Sequence, residues 1–396
     1  MTSLGNPALS SAVFALQKTD LVGLDEDAIK VAAEYIRGRL RKESYTPQTW
    51  RTQPLHLLPH EPFSIDDPSS RECLDWIFLI SSLNFSFWSE SEGLPDRYGV
   101  EWRKGWHSND RTVHTGYWSL VAAIDRALED GIPLTDPAFY SSEESCPKAL
   151  LEGIFRPAPQ CKETMPLFKE RVAILRENAR ILCSHFGGSF QGFCQDFLRR
   201  YGGRGTGLQL VQMVIDSFPT FRDQTMYEGR TIYFWKRAQI LVAEVWAAFY
   251  PSSPTTSHSL FPAGAAIHEL TMFADYRVPQ ILHHLRILTY PPSLVESLKS
   301  RRMLESGCRE EISIRAASIV AVEKVRQRII EQYEKADDEE KEPWERFGHA
   351  QEAMNSVLID FYLWDLAKKV EAGEDNIVGI KTAEMLPAHC IRSVWY

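Results

Sequence analysis

Apolar residues recur at helical spacing along most of this chain. Ile29, Ala32, Ala33, Ile36 and Leu40 fall on one face of a segment opened by Leu24-Asp25, which predicts an amphipathic helix over 24–40. Residues 74–83 form a nearly continuous apolar run. It is followed by Asn84-Phe85-Ser86-Phe87-Trp88, where polar and aromatic residues alternate, as expected of an aromatic core or of a buried element reaching a cleft. Helical spacing returns over 116–129, 166–186, 208–218, 236–249, 278–288 and 310–335, with Gly131, Gly187-Gly188 and Pro219 as stop signals. Alternation of Tyr98, Val100 and Trp102 predicts a short hairpin within 98–114, and Tyr227-Glu228-Gly229-Arg230 a tight turn into a strand at 231–234. Residues 46–70, which carry His56, read as irregular surface chain, and 136–164 as loop with brief helix. The expected fold is therefore mainly α, with one or two short β-hairpins.

Composition narrows the class without naming a reaction. With 396 residues, 44% hydrophobic and 24% charged, the chain has material for one large core or two modest ones. We expect a single unit, or two lobes at about 1–165 and 166–396 with a cleft between them. A net charge of −9 argues against a broad phosphate-backbone footprint, so stable nucleic-acid binding is not expected. No run approaches the roughly 20 apolar residues of a membrane span, which predicts a soluble, cytoplasmic protein. The seven cysteines are scattered without a CxxC pair, and the histidines show no ligand spacing, so neither a disulfide framework, a metal nor a cofactor is expected. Gly202-Gly203-Arg204-Gly205-Thr206-Gly207 lacks the lysine of a nucleotide-binding loop and reads as a connector.

Three segments carry candidate chemistry. In 271–280, Asp275 stands between aromatic residues and beside Arg277, just ahead of an apolar helical run. The local pattern fits a helix cap at least as well as a reactive carboxylate. Lys236 and Arg237 open a helix, where cations oppose the macrodipole unless an anion is present; with the free N–H groups they would make a compact phosphate pocket, or they would reach water. Asp360, Trp364 and Asp365 interrupt an apolar helical run, and buried acids are costly without partners.

Taken in order, Leu83 to Trp88, Gly116-Tyr117-Trp118-Ser119-Leu120, Ser217-Phe218-Pro219 with Arg222-Asp223, Lys236 to Ala243, Thr271 to Gln280 and Asp360 to Asp365 resemble the queuosine salvage family. The resemblance runs from about residue 56 to 396. It implies a helical fold related to helix-hairpin-helix DNA glycosylases and hydrolysis of queuosine 5′-monophosphate to queuine and ribose 5-phosphate. By position, Asp275 matches the family's catalytic carboxylate, and Phe273, Asp360, Trp364 and Asp365 match residues around the base. His56 matches a base-contacting histidine with altered flanks, and 251–266 and 336–347 depart from their counterparts.

The chemistry accords with that assignment. Cleaving an N-glycosidic bond develops positive charge on the ribose, which a carboxylate at Asp275 would stabilise, attack, or meet with a guided water. Queuine is a 7-deazapurine, so protonation at N7 is unavailable and more of the barrier falls on the sugar cation. Its guanine-like edge and side-chain amine suit Asp360 and Asp365. Lys236, with Arg237 or Arg277, would hold the 5′-phosphate, or Lys236 would support Asp275. A nucleic-acid base glycosylase and a non-catalytic nucleoside-binding protein are the other classes compatible with this pattern.

Overall fold

Helix starts in this chain are marked by side chains that take the first free N–H groups. Asn6, Asp25, Asp67, Thr206 and Asn355 each accept a backbone N–H from two or three residues ahead, at 2.8–3.4 Å. The computed structural model describes residues 5–253, 255–335 and 354–396. The divergent 336–347 segment, which opens with a run of charged residues, therefore lies wholly outside the described residues.

The N-terminal half runs α1 Pro7–Thr19, β1 Gly23–Leu24, α2 Glu26–Lys42, a 3-10 turn Pro47–Thr52, α3 Pro68–Ser82, β2 Gly99–Arg103, β3 Arg111–Thr115, α4 Tyr117–Glu129, α5 Pro137–Ser141, α6 Lys148–Ile154 and α7 Phe168–His185. It continues with α8 Phe190–Tyr201, α9 Gly207–Ser217, β4 Gln224–Tyr227, β5 Arg230–Tyr233 and α10 Lys236–Ala248. The remainder comprises α11 Arg277–His284, β6 Leu288–Thr289, α12 Pro292–Lys299, β7 Met303–Leu304, α13 Arg309–Glu334, α14 Ser356–Glu371 and β8 Cys390–Ile391. Strands are short and paired in twos: β2 with β3 and β4 with β5 as antiparallel hairpins, β1 with β6 antiparallel, and β7 with β8 parallel. The chain is mainly α, as the apolar spacing predicts.

Several elements differ from the sequence expectation, α12 among them, where the apolar pattern predicts no helix. Residues 278–288 do not form one helix. α11 ends at His284, where Arg286 adopts a left-handed φ of 66° and Ile287 N–H reaches back to Leu282 O at 2.9 Å, freeing Leu288 and Thr289 to pair with β1. The N-terminal α1 has no counterpart in the pattern reading. It packs along α13 with Ala12 and Ala15 fully buried.

Two hydrophobic cores result, and they interleave along the chain. One gathers α3, α4 and α7–α10; the other gathers α1, α2, α11, α13 and α14. A cleft opens where the two meet, walled by Trp50, Ile240 and Phe273 from the first core and by Tyr45 and Trp364 packed on the second. No described helix is long and apolar enough to cross a membrane.

Candidate active site

The cleft is entered at the N-terminus of α10. Asp223 accepts the N–H groups of Phe234 and Trp235 on its backbone carbonyl, at 3.0 and 3.1 Å, and that of Lys236 on its carboxylate, at 3.3 Å. These bonds hold Trp235 at a left-handed φ of 50° and aim Lys236 into the cleft. The anion that two successive cations at a helix start require is thus supplied by Asp223. Among the described residues, the Lys236 ammonium makes one hydrogen bond, to Asn84 O at 3.5 Å.

Arg237 points away from the cleft. Its guanidinium donates to the carbonyls of Ser82 and Thr220 and stacks near Phe85 and Phe221. Arg171 likewise donates to Leu83 O and Phe85 O. The irregular stretch after α3, whose Asn84 and Phe87 line the cleft, therefore has its buried carbonyls satisfied by two guanidinium groups rather than by a neighbouring strand.

The segment 271–276 crosses beside α10 and is fastened at each step. Thr271 N–H binds Gln239 Oε1 at 3.0 Å, Phe273 N–H binds Asp360 Oδ1 at 2.9 Å, and Ala274 O accepts from Arg315 Nε at 3.0 Å. Asp275 Oδ1 then accepts the N–H groups of Arg277 and Val278, each at 2.9 Å, and so caps α11. Among the described residues no hydrogen bond engages Oδ2, and the side chain lines the cleft. One oxygen of Asp275 thus serves the helix start and the other is left toward the cleft.

Opposite stands α14. Asp360, Phe361, Trp364, Asp365 and Lys368 line the cleft, and Asp365 Oδ2 accepts from Tyr45 at 2.7 Å. Trp364 meets Tyr117 and Trp118 edge-on, at centroid distances of 6.1 and 6.0 Å, and Phe273 lies 5.9 Å from Phe361. His56 closes the far wall, stacked 4.0 Å from Trp50, with Nδ1 2.8 Å from Trp50 O. The cleft is open to solvent at its mouth, and its aromatic faces with a few polar groups suit a nucleotide base.

The electrostatics follow from burial. Desolvation raises the Asp275 carboxyl above its ordinary value, while the Lys236 ammonium and the two capping N–H groups pull it back down. Burial also lowers Lys236 to about 8, opposed by Asp275. Asp360 is pushed well above the carboxylate range, first by burial and then by Asp275, and Asp365 is raised by burial against its bond from Tyr45. His56 falls to about 3 through burial, so its ring is neutral.

The structure brings Asp275, Lys236, His56, Phe273, Asp360, Trp364, Asp365 and Arg277 to one cleft and leaves Arg237 outside its wall. Arg277 is paired with Glu371 at 2.6 Å and with Glu92 at 3.6 Å. Sequence reasoning missed Tyr45, Trp50, Glu244 and Lys368. For Glu244 a signal existed: it is an acid inside a helix that is buried at all of its positions, the same oddity that singled out Asp360. Among the described residues, no group of three His, Cys, Asp or Glu side chains is placed to hold a metal ion.

Comparison with known proteins finds consistent similarity. A family model described as queuosine salvage protein matches residues 64–396. A protein of Schizosaccharomyces pombe named queuosine 5′-phosphate N-glycosylase/hydrolase is 34% identical, over 96% of this chain and 99% of its own length. Relatives of the same name from Mus musculus, 34% identical over 98% of this chain and 97% of their own, and from Sphaerobacter thermophilus, 33% over 96% and 95%, match equally broadly.

Proposed function

This chain belongs to the queuosine salvage protein family, and from that premise we propose how its cleft hydrolyses the N-glycosidic bond of queuosine 5′-monophosphate, releasing queuine and ribose 5-phosphate. The observation that carries the site assignment is Asp275: a buried carboxylate with one oxygen fixed at a helix N-terminus and the other free toward an aromatic cleft, beside a buried lysine.

The C1′–N bond breaks with its electron pair leaving on the base, and the ribose becomes cationic at C1′. Asp275 Oδ2 faces that carbon. Its anion stabilises the cation and receives it or directs the incoming water. Lys236 favours the ionised form of Asp275 in a site where burial disfavours it. A 7-deazapurine gains nothing from protonation at N7, so the leaving base depends on contacts along its edge. Asp360, anchored by Phe273 N–H, and Asp365, anchored by Tyr45, take its donors, while Phe273, Phe361 and Trp364 hold its faces. The 5′-phosphate sits at the mouth, where Arg277 and Lys368 share Glu371 at 2.6 and 3.1 Å. We place the enzyme in the cytoplasm, on a scaffold related to helix-hairpin-helix glycosylases, on the resemblance of its motifs.

Incubation with queuosine 5′-monophosphate, queuosine and a queuosine-containing tRNA, followed by chromatography for free queuine, tests the reading. Release chiefly from the nucleotide supports it. Release only from tRNA would make this a polynucleotide glycosylase, and binding of the nucleotide without release would make it a nucleoside-binding protein.

A further inference from the structure

α10 carries a further acid, Glu244, into the cleft. Lys236, Ile240 and Glu244 are spaced four apart, all line the cleft, and mark out one face of the helix. At 1.5 Å per residue, Glu244 stands about 12 Å along the helix from Lys236. Since Asp275 interacts with Lys236, the reacting carbon lies at one end of this ruler and Glu244 at the other.

The far end is built for a polar group and has none. Glu244 is 6% exposed and makes two long bonds, accepting from Tyr117 at 3.4 Å and Ser81 at 3.2 Å, which leaves acceptor capacity on both oxygens. Two buried ring nitrogens of the same cleft have no hydrogen-bond partner among the described residues: Trp50 Nε1, which approaches Glu244 without reaching bonding geometry, and His56 Nε2. Because neutral His56 directs Nδ1 at Trp50 O, its Nε2 is an acceptor. An acid with spare acceptor capacity, an acceptor and a donor thus line the same cleft, and buried polar groups left short of partners are costly unless a ligand completes them. Burial lifts the Glu244 carboxyl to about 7, with Ser81, Trp50 and Tyr117 holding it down.

Queuine differs from 7-deazaguanine by a substituent at its 7-position, an aminomethyl link ending in a dihydroxylated five-membered ring. We propose that Glu244, with His56 Nε2 and Trp50 Nε1, binds the hydroxyl groups of that ring and is the residue by which the enzyme tells its substrate from unsubstituted purine nucleotides. Two neighbouring hydroxyls match the two oxygens of one carboxylate. The assignment rests on the queuosine reading of the cleft and extends it to an acid that the bond-cleaving chemistry does not use.

The test is calorimetric titration of free queuine and of 7-deazaguanine into the full-length wild-type protein and its Glu244→Gln variant. Wild type should prefer queuine by about tenfold or more, and Glu244→Gln should erase most of that preference while leaving 7-deazaguanine within about twofold. A preference retained in the variant, equal weakening of both bases, or no preference in wild type would overturn the proposal. A ligand-side measurement guards against a variant that fails to fold. 7-Aminomethyl-7-deazaguanine, which keeps the amine and lacks the ring, should bind wild type at least several-fold more weakly than queuine, and binding as tight as that of queuine would overturn the assignment. Hydrolysis of queuosine 5′-monophosphate by wild type is scored separately. If no queuine is released, the catalytic reading fails while the base preference still decides for or against Glu244.

Discussion

Arg315 and Asp223 meet in a two-pronged ion pair inside the protein, Nη1 to Oδ1 at 3.2 Å and Nη2 to Oδ2 at 2.5 Å, with both side chains almost fully buried. The pair joins the two halves of the reacting centre. Asp223 caps α10 at Lys236, while Arg315 Nε holds Ala274 O, one residue before Asp275. The separation of Lys236 and Asp275 is therefore set by one guanidinium on α13. Glu311, one turn earlier, steadies it at 3.2 Å.

Arg315→Lys keeps the charge and removes the fork. We expect a stability loss of about 1–3 kcal/mol, read as a lower denaturant midpoint. Turnover should fall about ten- to a hundredfold with a much smaller change in KM, because loosened geometry raises the barrier more than it weakens binding. An equal loss in kcat and in queuine affinity would instead mark general disruption of the cleft.

Asp275→Asn separates the two jobs of that side chain. The amide oxygen still accepts from Arg277 and Val278, so α11 keeps its cap and the melting temperature should barely move. The anion facing the sugar is gone, and single-turnover rates should drop by about a hundredfold or more with nucleotide binding retained. Asp275→Ala loses the cap as well, and should melt lower by the equivalent of about 1 kcal/mol. Wild-type rates in the Asn variant would remove Asp275 from the chemistry.

The acidity of this pair predicts a bell-shaped pH dependence. Lys236, lowered by burial to about 8, must be protonated to hold Asp275 ionised, so kcat/KM should decline as pH rises through about 8. On the acid side, activity should decline as Asp275 takes up a proton, at a pH above that of an ordinary aspartate because burial raises it. Lys236→Met should abolish the basic limb. It should also move the acid limb upward, since the ammonium that pulled Asp275 down is gone. An unchanged basic limb would assign it to another group.

Much of this arrangement is visible in local pattern, and what is hidden has identifiable causes. Apolar spacing locates α2, α4, α7, α9, α10, α13 and α14, since each buries one face or more in a core. It misses α1, whose buried positions Ala8, Ala12 and Ala15 are too small to stand out against their neighbours. It overruns α11 because the helix stops at a left-handed Arg286, with no glycine to announce it. The acids Asp275, Asp360 and Asp365 stand out because they interrupt apolar segments. Arg237 stood out as a cation at a helix start and proved to bind backbone carbonyls of α3 and the turn at Thr220, partners set by packing distant in sequence. The interleaving of the two cores is equally non-local: Ile29 joins Leu282 and Ile319, while Trp50 joins Ile240 and Phe273.

Phosphate recognition yields the remaining prediction. Arg277 and Lys368 both lean on Glu371, and Arg277 on Glu92 as well, so the mouth of the cleft holds two cations against two acids. A 5′-phosphate entering there would compete for the same N–H donors, and with more acceptor oxygens than a carboxylate it would draw them toward the sugar. Lys368 is about one-third exposed, so its removal should cost little stability. Lys368→Ala should therefore raise KM for queuosine 5′-monophosphate several-fold, with queuosine itself cleaved or bound as before, and the loss should shrink as salt rises. Glu371→Gln should act in the opposite sense, releasing both cations and lowering KM for the nucleotide. Should Lys368→Ala weaken nucleotide and nucleoside alike, the phosphate lies elsewhere, and Lys236 becomes the cation to test by the same comparison.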